Sequence, residues 1–78
     1  MTKKLSELKK GERGVISSVC LAEGKAKDRL RAMGFSEGTR VEMSVRSPLG
    51  DPTAYLIKGS VIALRESEAS EICVDVEE

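Results

Sequence analysis

The sequence contains no histidine and no tryptophan, and its aromatic residues are Phe35 and Tyr55 alone. Histidine is the commonest general base near neutral pH and the commonest metal ligand. Barrels that bind single-stranded nucleic acid stack bases on aromatic side chains, and polyproline ligands dock in aromatic-lined grooves. The composition therefore argues against an enzyme, against nucleic-acid binding and against polyproline recognition.

Excess charge and long apolar runs are also missing. The chain has 13 basic and 13 acidic residues in 78, so no net positive field would attract a phosphate backbone. The longest apolar runs, such as residues 54–57 and 61–64, have four residues, far below the ~18 residues of a membrane-spanning helix. No apolar stretch follows the first lysines, so no secretory signal is predicted. We expect a cytoplasmic protein without direct membrane insertion.

Candidate metal ligands are few and scattered. Cys20 and Cys73 lie far apart in the sequence, are expected to stay reduced in the cytoplasm, and alone do not complete a tetrahedral zinc site. Carboxylates that could add ligands are Asp51, Glu66, Glu68 and Glu71. We predict no resident metal, no cofactor and no catalytic residue. A small carrier that uses these groups to hand Fe²⁺ to a transporter is kept as the alternative.

Alternation of apolar and polar residues predicts most of the secondary structure. Val41, Met43 and Val45 alternate with polar residues, which is typical of a strand with one wet face. Similar composition predicts strands at residues 13–21, 40–46, 53–58, 61–65 and 72–76. Gly59 and Ser60 are predicted to form a two-residue hairpin turn.

One helix is predicted over residues 25–33, where Ala26, Leu30 and Met33 recur on one face. Gly34 follows at the position of a left-handed C-cap, and Phe35 is expected to fold back onto the apolar face. Short helical turns are predicted from Leu5 to near Lys10-Gly11 and at residues 66–71. A single domain spanning residues 1–78, with its core at about 5–76, is the expected organisation. Closing five short strands into a partly open barrel would remove most exposed edges.

Two surfaces are candidates for contact with a partner protein. The first is a loop made of Pro48, Leu49, Gly50, Asp51 and Pro52. Its prolines stiffen the chain and lower the entropy cost of docking. Leu49, in the middle, either meets a partner or folds over the barrel end as a lid.

The second candidate surface is the helix end, with Leu30, Met33 and Phe35. Core packing is the alternative for all three side chains.

Several motifs together resemble the FeoA family: residues 29–35 (RLRAMGF), 48–52 (PLGDP), 62–65 (IALR) and the closing strand. The resemblance covers about residues 5–76, with Glu37 standing where many relatives carry proline. It implies a small SH3-like, partly open five-stranded barrel with one helix after the first strand and a helical turn before the last. It also implies a non-enzymatic accessory protein of ferrous iron uptake that binds and modulates FeoB, a membrane Fe²⁺ transporter with a GTPase domain.

Overall fold

The computed structural model describes residues 1–77. In chain order its elements are strand β1 (Thr2–Lys4), a 3-10 helix (Leu5–Glu7), β2 (Arg13–Val19), helix α1 (Lys25–Ala32), β3 (Arg40–Arg46), β4 (Thr53–Ile57), β5 (Ser60–Leu64), helix α2 (Glu66–Ala69) and β6 (Ile72–Val76). The strands form one antiparallel sheet in the order β1-β6-β2-β3-β4-β5. The protein is therefore mainly β, and β1 and β5 are the two sheet edges.

The prediction of five strands was wrong, because the sheet has a sixth strand, β1 (Thr2–Lys4). Its sequence, Thr-Lys-Lys, carries no apolar alternation. It is a strand because it pairs with β6 at the other end of the chain, where Lys3 lies opposite Val74. The hairpin turn is also displaced by one residue: Lys58 and Gly59, both with positive φ (50° and 78°), form the turn.

The core gathers side chains from the inner face of the sheet and from the helical segments. Its fully buried members are Leu5, Leu8, Ile16, Leu30, Phe35, Tyr55, Ile57, Leu64, Ile72 and Val74, among others. Phe35 and Tyr55 meet edge to face, with ring centroids 6.5 Å apart at 87°. Such aromatic pairs add about 0.5–1.5 kcal/mol beyond the area they bury. Both aromatic residues therefore belong to the folding core.

Helix α1 ends as the sequence predicts, on a left-handed glycine. Gly34 has φ of 103°, its N–H donates to the carbonyl of Arg31 (3.0 Å), and the Phe35 N–H donates to the carbonyl of Leu30 (2.9 Å). These two bonds make a Schellman motif, which reverses the chain direction after a helix. The reversal turns Phe35 back beneath α1 and into the core.

Gly14 lies inside β2 and lets two strands approach closely. A Cβ atom at this position would lie 2.2 Å from the backbone oxygen of Asp75 on β6, well inside van der Waals contact. Gly14 is therefore needed for the close approach of the two strands.

Candidate partner-binding surface

The loop between β3 and β4, residues 48–52, holds an apolar side chain away from the core. Leu49 is 93% exposed, so it does not fold over the barrel end as a lid. The Gly50 N–H donates to the carbonyl of Ser47 (2.8 Å), and the Ser47 N–H donates to the carbonyl of Pro52 (3.2 Å). Pro48 occupies the second position of the tight turn, where its fixed φ is favourable. The loop is therefore ordered by its own backbone before any partner arrives.

Asp51 ties this loop to helix α2. Its carboxylate Oδ1 accepts a hydrogen bond from the backbone N–H of Glu66 at 2.9 Å. The first N–H groups of a helix have no partner within the helix, so Asp51 satisfies one of them. The carboxylate thus has a structural task, which is to hold the loop to the start of α2.

A groove borders the loop on the side of α2. It is lined by Arg29, Asp51, Pro52, Ala63, Arg65 and Glu68. Arg29 on α1 forms an ion pair with Glu68 on α2, and Glu68 also accepts the Arg65 N–H at 3.2 Å. The groove walls therefore carry both charge signs, which suits a polar protein segment better than a simple anion.

An apolar strip lies beside the loop on the outer face of β3, β4 and β5. Val45 is 51% exposed, Leu56 38% and Val61 64%. Val45 pairs with Ala54 and Ala54 with Ala63, so these small side chains continue the strip across three strands.

Sequence reasoning missed this strip because it placed Val45 on the same face as Met43. A bulge between Met43 and Val45 shifts the register against β4. Since successive strand residues point to opposite faces, one extra residue moves Val45 from the core side to solvent. The sequence signals available are apolar residues that alternate with inward-facing ones, Val61 and Ala63 on β5 and Ala54 and Leu56 on β4.

The helix end does not form an exposed surface. Leu30 and Phe35 are 0% exposed, and Met33 is partly buried against the same core. The Schellman turn directs Leu30 and Phe35 into the core, as the core-packing alternative predicts, and a partner contact at Met33 stays a prediction. Of the two candidate surfaces, the structure leaves the 48–52 loop accessible.

The candidate metal ligands remain dispersed. Cys73 lies on β6 opposite Ser18 of β2. Cys20 follows directly after β2, and its N–H donates to the carbonyl of Glu71 at 2.7 Å. Within residues 1–77, no three Cys, Asp or Glu side chains converge in positions that could hold a metal ion.

Surface carboxylates are instead held by cations and backbone amides. Glu12 accepts the Lys9 N–H at 2.7 Å and the Lys3 ammonium at 3.2 Å, and these contacts lower the pKa of the Glu12 carboxyl. Glu23 meets Arg31 and Lys27 at 3.1 and 3.2 Å; their hydrogen bonds lower the pKa of Glu23.

No helix in the described part of the chain is long and apolar enough to cross a bilayer.

Comparison with known proteins identifies the fold and the family. The FeoA domain model matches residues 3–76. The solved structure of Stenotrophomonas maltophilia FeoA, a prokaryotic SH3 domain protein complexed with zinc, is 37% identical, with 96% of this chain and 89% of that chain covered and a TM-score of 0.78. FeoA of Chlorobium tepidum is 36% identical, with 95% and 68% covered and a TM-score of 0.82.

A more distant likeness concerns the fold alone. IdeR of T. acidophilum is 18% identical, with 97% of this chain and 34% of that chain covered and a TM-score of 0.85. A search of curated proteins found no match. Because the S. maltophilia relative is an SH3 domain protein, the open six-stranded sheet of this chain is SH3-like.

Proposed function

This chain belongs to the FeoA family, and on that premise we propose that it is a non-enzymatic cytoplasmic accessory protein of ferrous iron uptake. In this proposal it binds and modulates the FeoB-type membrane transporter. Support comes from the S. maltophilia relative, which has been proposed to act as a bacterial ferrous iron transport activating factor. The site supports binding rather than catalysis, because its groups are an exposed leucine, a stiff loop and a groove of mixed charge.

Leu49 is the observation on which the contact surface rests. Fully burying a leucine side chain is worth about 1.5–3 kcal/mol, and Leu49 is 93% exposed. Two backbone hydrogen bonds and the Asp51 tether already hold its loop. Docking would therefore gain the burial of Leu49 with little loss of loop entropy.

Affinity capture with the full-length transporter from the same organism tests this proposal. We expect the wild type to bind and Leu49→Glu to bind at least about 10-fold more weakly, which corresponds to about 1.4 kcal/mol. Ala22→Glu, on the exposed segment between β2 and α1, is the matched control and should bind like the wild type. If Leu49→Glu and Ala22→Glu are captured equally well, Leu49 is not part of the contact. If the wild type is not captured, the transporter is not the partner.

The carrier alternative has one observation in its favour, the zinc bound to the S. maltophilia relative. Anaerobic titration with Fe²⁺ separates the two functions. Binding tighter than about 1 mM that is lost in a Cys20→Ser, Cys73→Ser double variant would favour the carrier. Unchanged transporter capture by that double variant would favour the accessory role.

A further inference from the structure

The apolar strip on the outer face of β3, β4 and β5 has arginine side chains at both of its ends. At the loop end, Ala63 of the strip also lines the groove that contains Arg65. At the other end, beside the turn between β4 and β5, Leu56 lines a pocket of about 210 Å³ together with Arg13 and Arg40. A partner that covers the strip therefore meets positive charge at each end.

Strand pairing places the arginines of the turn end on the same face as the strip. Arg13 of β2 lies opposite Glu42 of β3, and Glu42 lies opposite Leu56 of β4. Because directly opposed residues share one face of a sheet, Arg13 points to the outer face with Leu56. Arg40 precedes Glu42 by two residues on β3 and has the same orientation. The side chains of Arg13 and Arg40 are 61% and 67% exposed.

This arginine pair already binds a carboxylate of the chain itself. Glu77 follows directly after β6, and its carboxylate oxygens lie 2.7 Å from the Arg40 guanidinium and 3.8 Å from that of Arg13. Exposed ion pairs contribute little to stability, so a carboxylate of a partner can replace that of Glu77 without harm to the fold. The two arginines are therefore positioned to accept an acidic side chain.

Arg65 provides the positive charge at the loop end. It is exposed, and no salt bridge within residues 1–77 engages its guanidinium. Its backbone N–H is bonded to Glu68, which leaves the side chain out of that contact. Since Arg65 follows Ala63 by two residues along the extended chain, its side chain leaves from the outer face. This guanidinium is available to an acidic group that approaches beside the loop.

We propose that one acidic, amphipathic segment of the transporter covers this surface from the loop to the turn. Its apolar side chains lie on the strip. One carboxylate pairs with Arg65 at the loop end, and another replaces Glu77 on Arg40 and Arg13. Residues 52–58 span about 20 Å as an extended strand, a length that a helix of about 13 residues matches. This inference rests on the proposed function, because it names the chemistry of the transporter segment that binds.

Acidic side chains among the arginines favour a protein segment over an anionic membrane surface. Glu42 lines the pocket at the turn end, and Asp51 and Glu68 line the groove at the loop end. A layer of phosphate headgroups brings negative charge against all three carboxylates, and such like-charge contacts are unfavourable. A protein segment instead places its carboxylates only where the arginines lie.

Affinity capture with the full-length transporter, repeated at several NaCl concentrations, tests the acidic segment. Arg40→Gln combined with Arg65→Gln should bind at least about 10-fold more weakly than the wild type. Its binding should also depend less on salt, because salt screens exposed ion pairs. Lys4→Gln is the matched control and should bind like the wild type, since Lys4 is an exposed cation on β1 at the opposite edge of the sheet. Unchanged circular dichroism shows that each variant is folded.

Removal of the competing carboxylate should have the opposite effect. In Glu77→Gln the backbone N–H of residue 77 can still donate to the carbonyl of Arg13, while the guanidinium groups of Arg13 and Arg40 lose their carboxylate. Capture should therefore tighten about 2- to 5-fold. A variant that only disturbs the fold would not bind more tightly, so this gain distinguishes the proposed contact from a structural effect.

The acidic segment and the proposed function can fail separately. If the wild type is not captured, the transporter is not the partner and both fail. If the wild type is captured but the double arginine variant binds equally well, or Glu77→Gln gives no gain, the acidic segment is rejected and the proposed function stands.

Vesicles of phosphatidylglycerol test the membrane as the occupant of the same surface. We expect no cosedimentation of the wild type with these vesicles. Cosedimentation that is lost in the double arginine variant, while its capture by the transporter is unchanged, would show that the arginines bind an anionic membrane. That result would reject the acidic segment.

Discussion

The end of helix α1 and the loop between β3 and β4 make an instructive comparison. Each presents apolar side chains beside a glycine, yet Phe35 is fully buried and Leu49 is 93% exposed. At the helix end, the bonds of Gly34 and Phe35 to the last helical carbonyls reverse the chain toward the core. In the loop, the bond from Gly50 to Ser47 closes a tight turn whose tip points to solvent. Local backbone bonding, more than composition, separates a core residue from a contact residue.

The largest effect should come from the helix end. Phe35→Ala removes a buried ring that meets Tyr55 edge to face and should lower the free energy of unfolding by about 3–5 kcal/mol. Urea denaturation monitored by circular dichroism measures this. Phe35→Leu, which keeps more of the buried volume, should lose clearly less. A loss below about 1 kcal/mol for the alanine variant would contradict the placement of Phe35 in the core.

A smaller loss is expected where the loop is tied to helix α2. Asp51→Ala leaves the Glu66 N–H without its acceptor and should cost about 0.5–2 kcal/mol, as loss of a helix-capping side chain does. Asp51→Asn keeps an acceptor and serves as the control in the same urea experiment. If Asp51→Ala and Asp51→Asn are both as stable as the wild type, the hydrogen bond between Asp51 and Glu66 does not hold the loop.

Tyr55 gives a pH-dependent test of the core side of the comparison. Its hydroxyl donates to the carbonyl of Leu5 at 3.3 Å, so Tyr55→Phe should cost about 1 kcal/mol at neutral pH. Burial raises the pKa of Tyr55 above its ordinary value of 10.0. Ionisation is then easier in the unfolded chain, and wild-type stability falls as the pH rises through that ordinary value.

The phenylalanine variant lacks this alkaline loss, so the stability difference between the two proteins should shrink above about pH 10. Urea titrations at neutral and alkaline pH measure it. A difference that stays constant with pH would mean that the hydroxyl of Tyr55 is not desolvated in the folded protein.

The smallest effect on stability is expected at the loop tip. Leu49→Ala and Leu49→Glu should each change the free energy of unfolding by less than about 0.5 kcal/mol, as surface substitutions usually do. Thermal unfolding measures this. The loss of unfolding free energy in the Leu49 variants should therefore be much smaller than that in Phe35→Ala. A loss at Leu49 as large as that at Phe35 would mean that Leu49 also belongs to the core.

Much of the fold could be predicted because its signals are local. The alternation around Val41 and Met43, the apolar face of α1 and the glycine after it all act over a few residues, and each produced the predicted element. The helical turn predicted before the last strand is also observed, with Ala69 buried in the core. The candidate site was predicted only in part: the loop is exposed, but Leu30 and Phe35 are not.

What the sequence determined by itself was the family, the mainly β architecture and the position of the loop, since motif spacing and short-range alternation carry that information. Only the tertiary structure decided that Thr2–Lys4 is a strand, that Val45 faces outward and that β5 is an open edge. These features depend on pairing between segments far apart in the chain. The strand pattern of one segment does not show which partner it has, where its register shifts or which side of it stays unpaired.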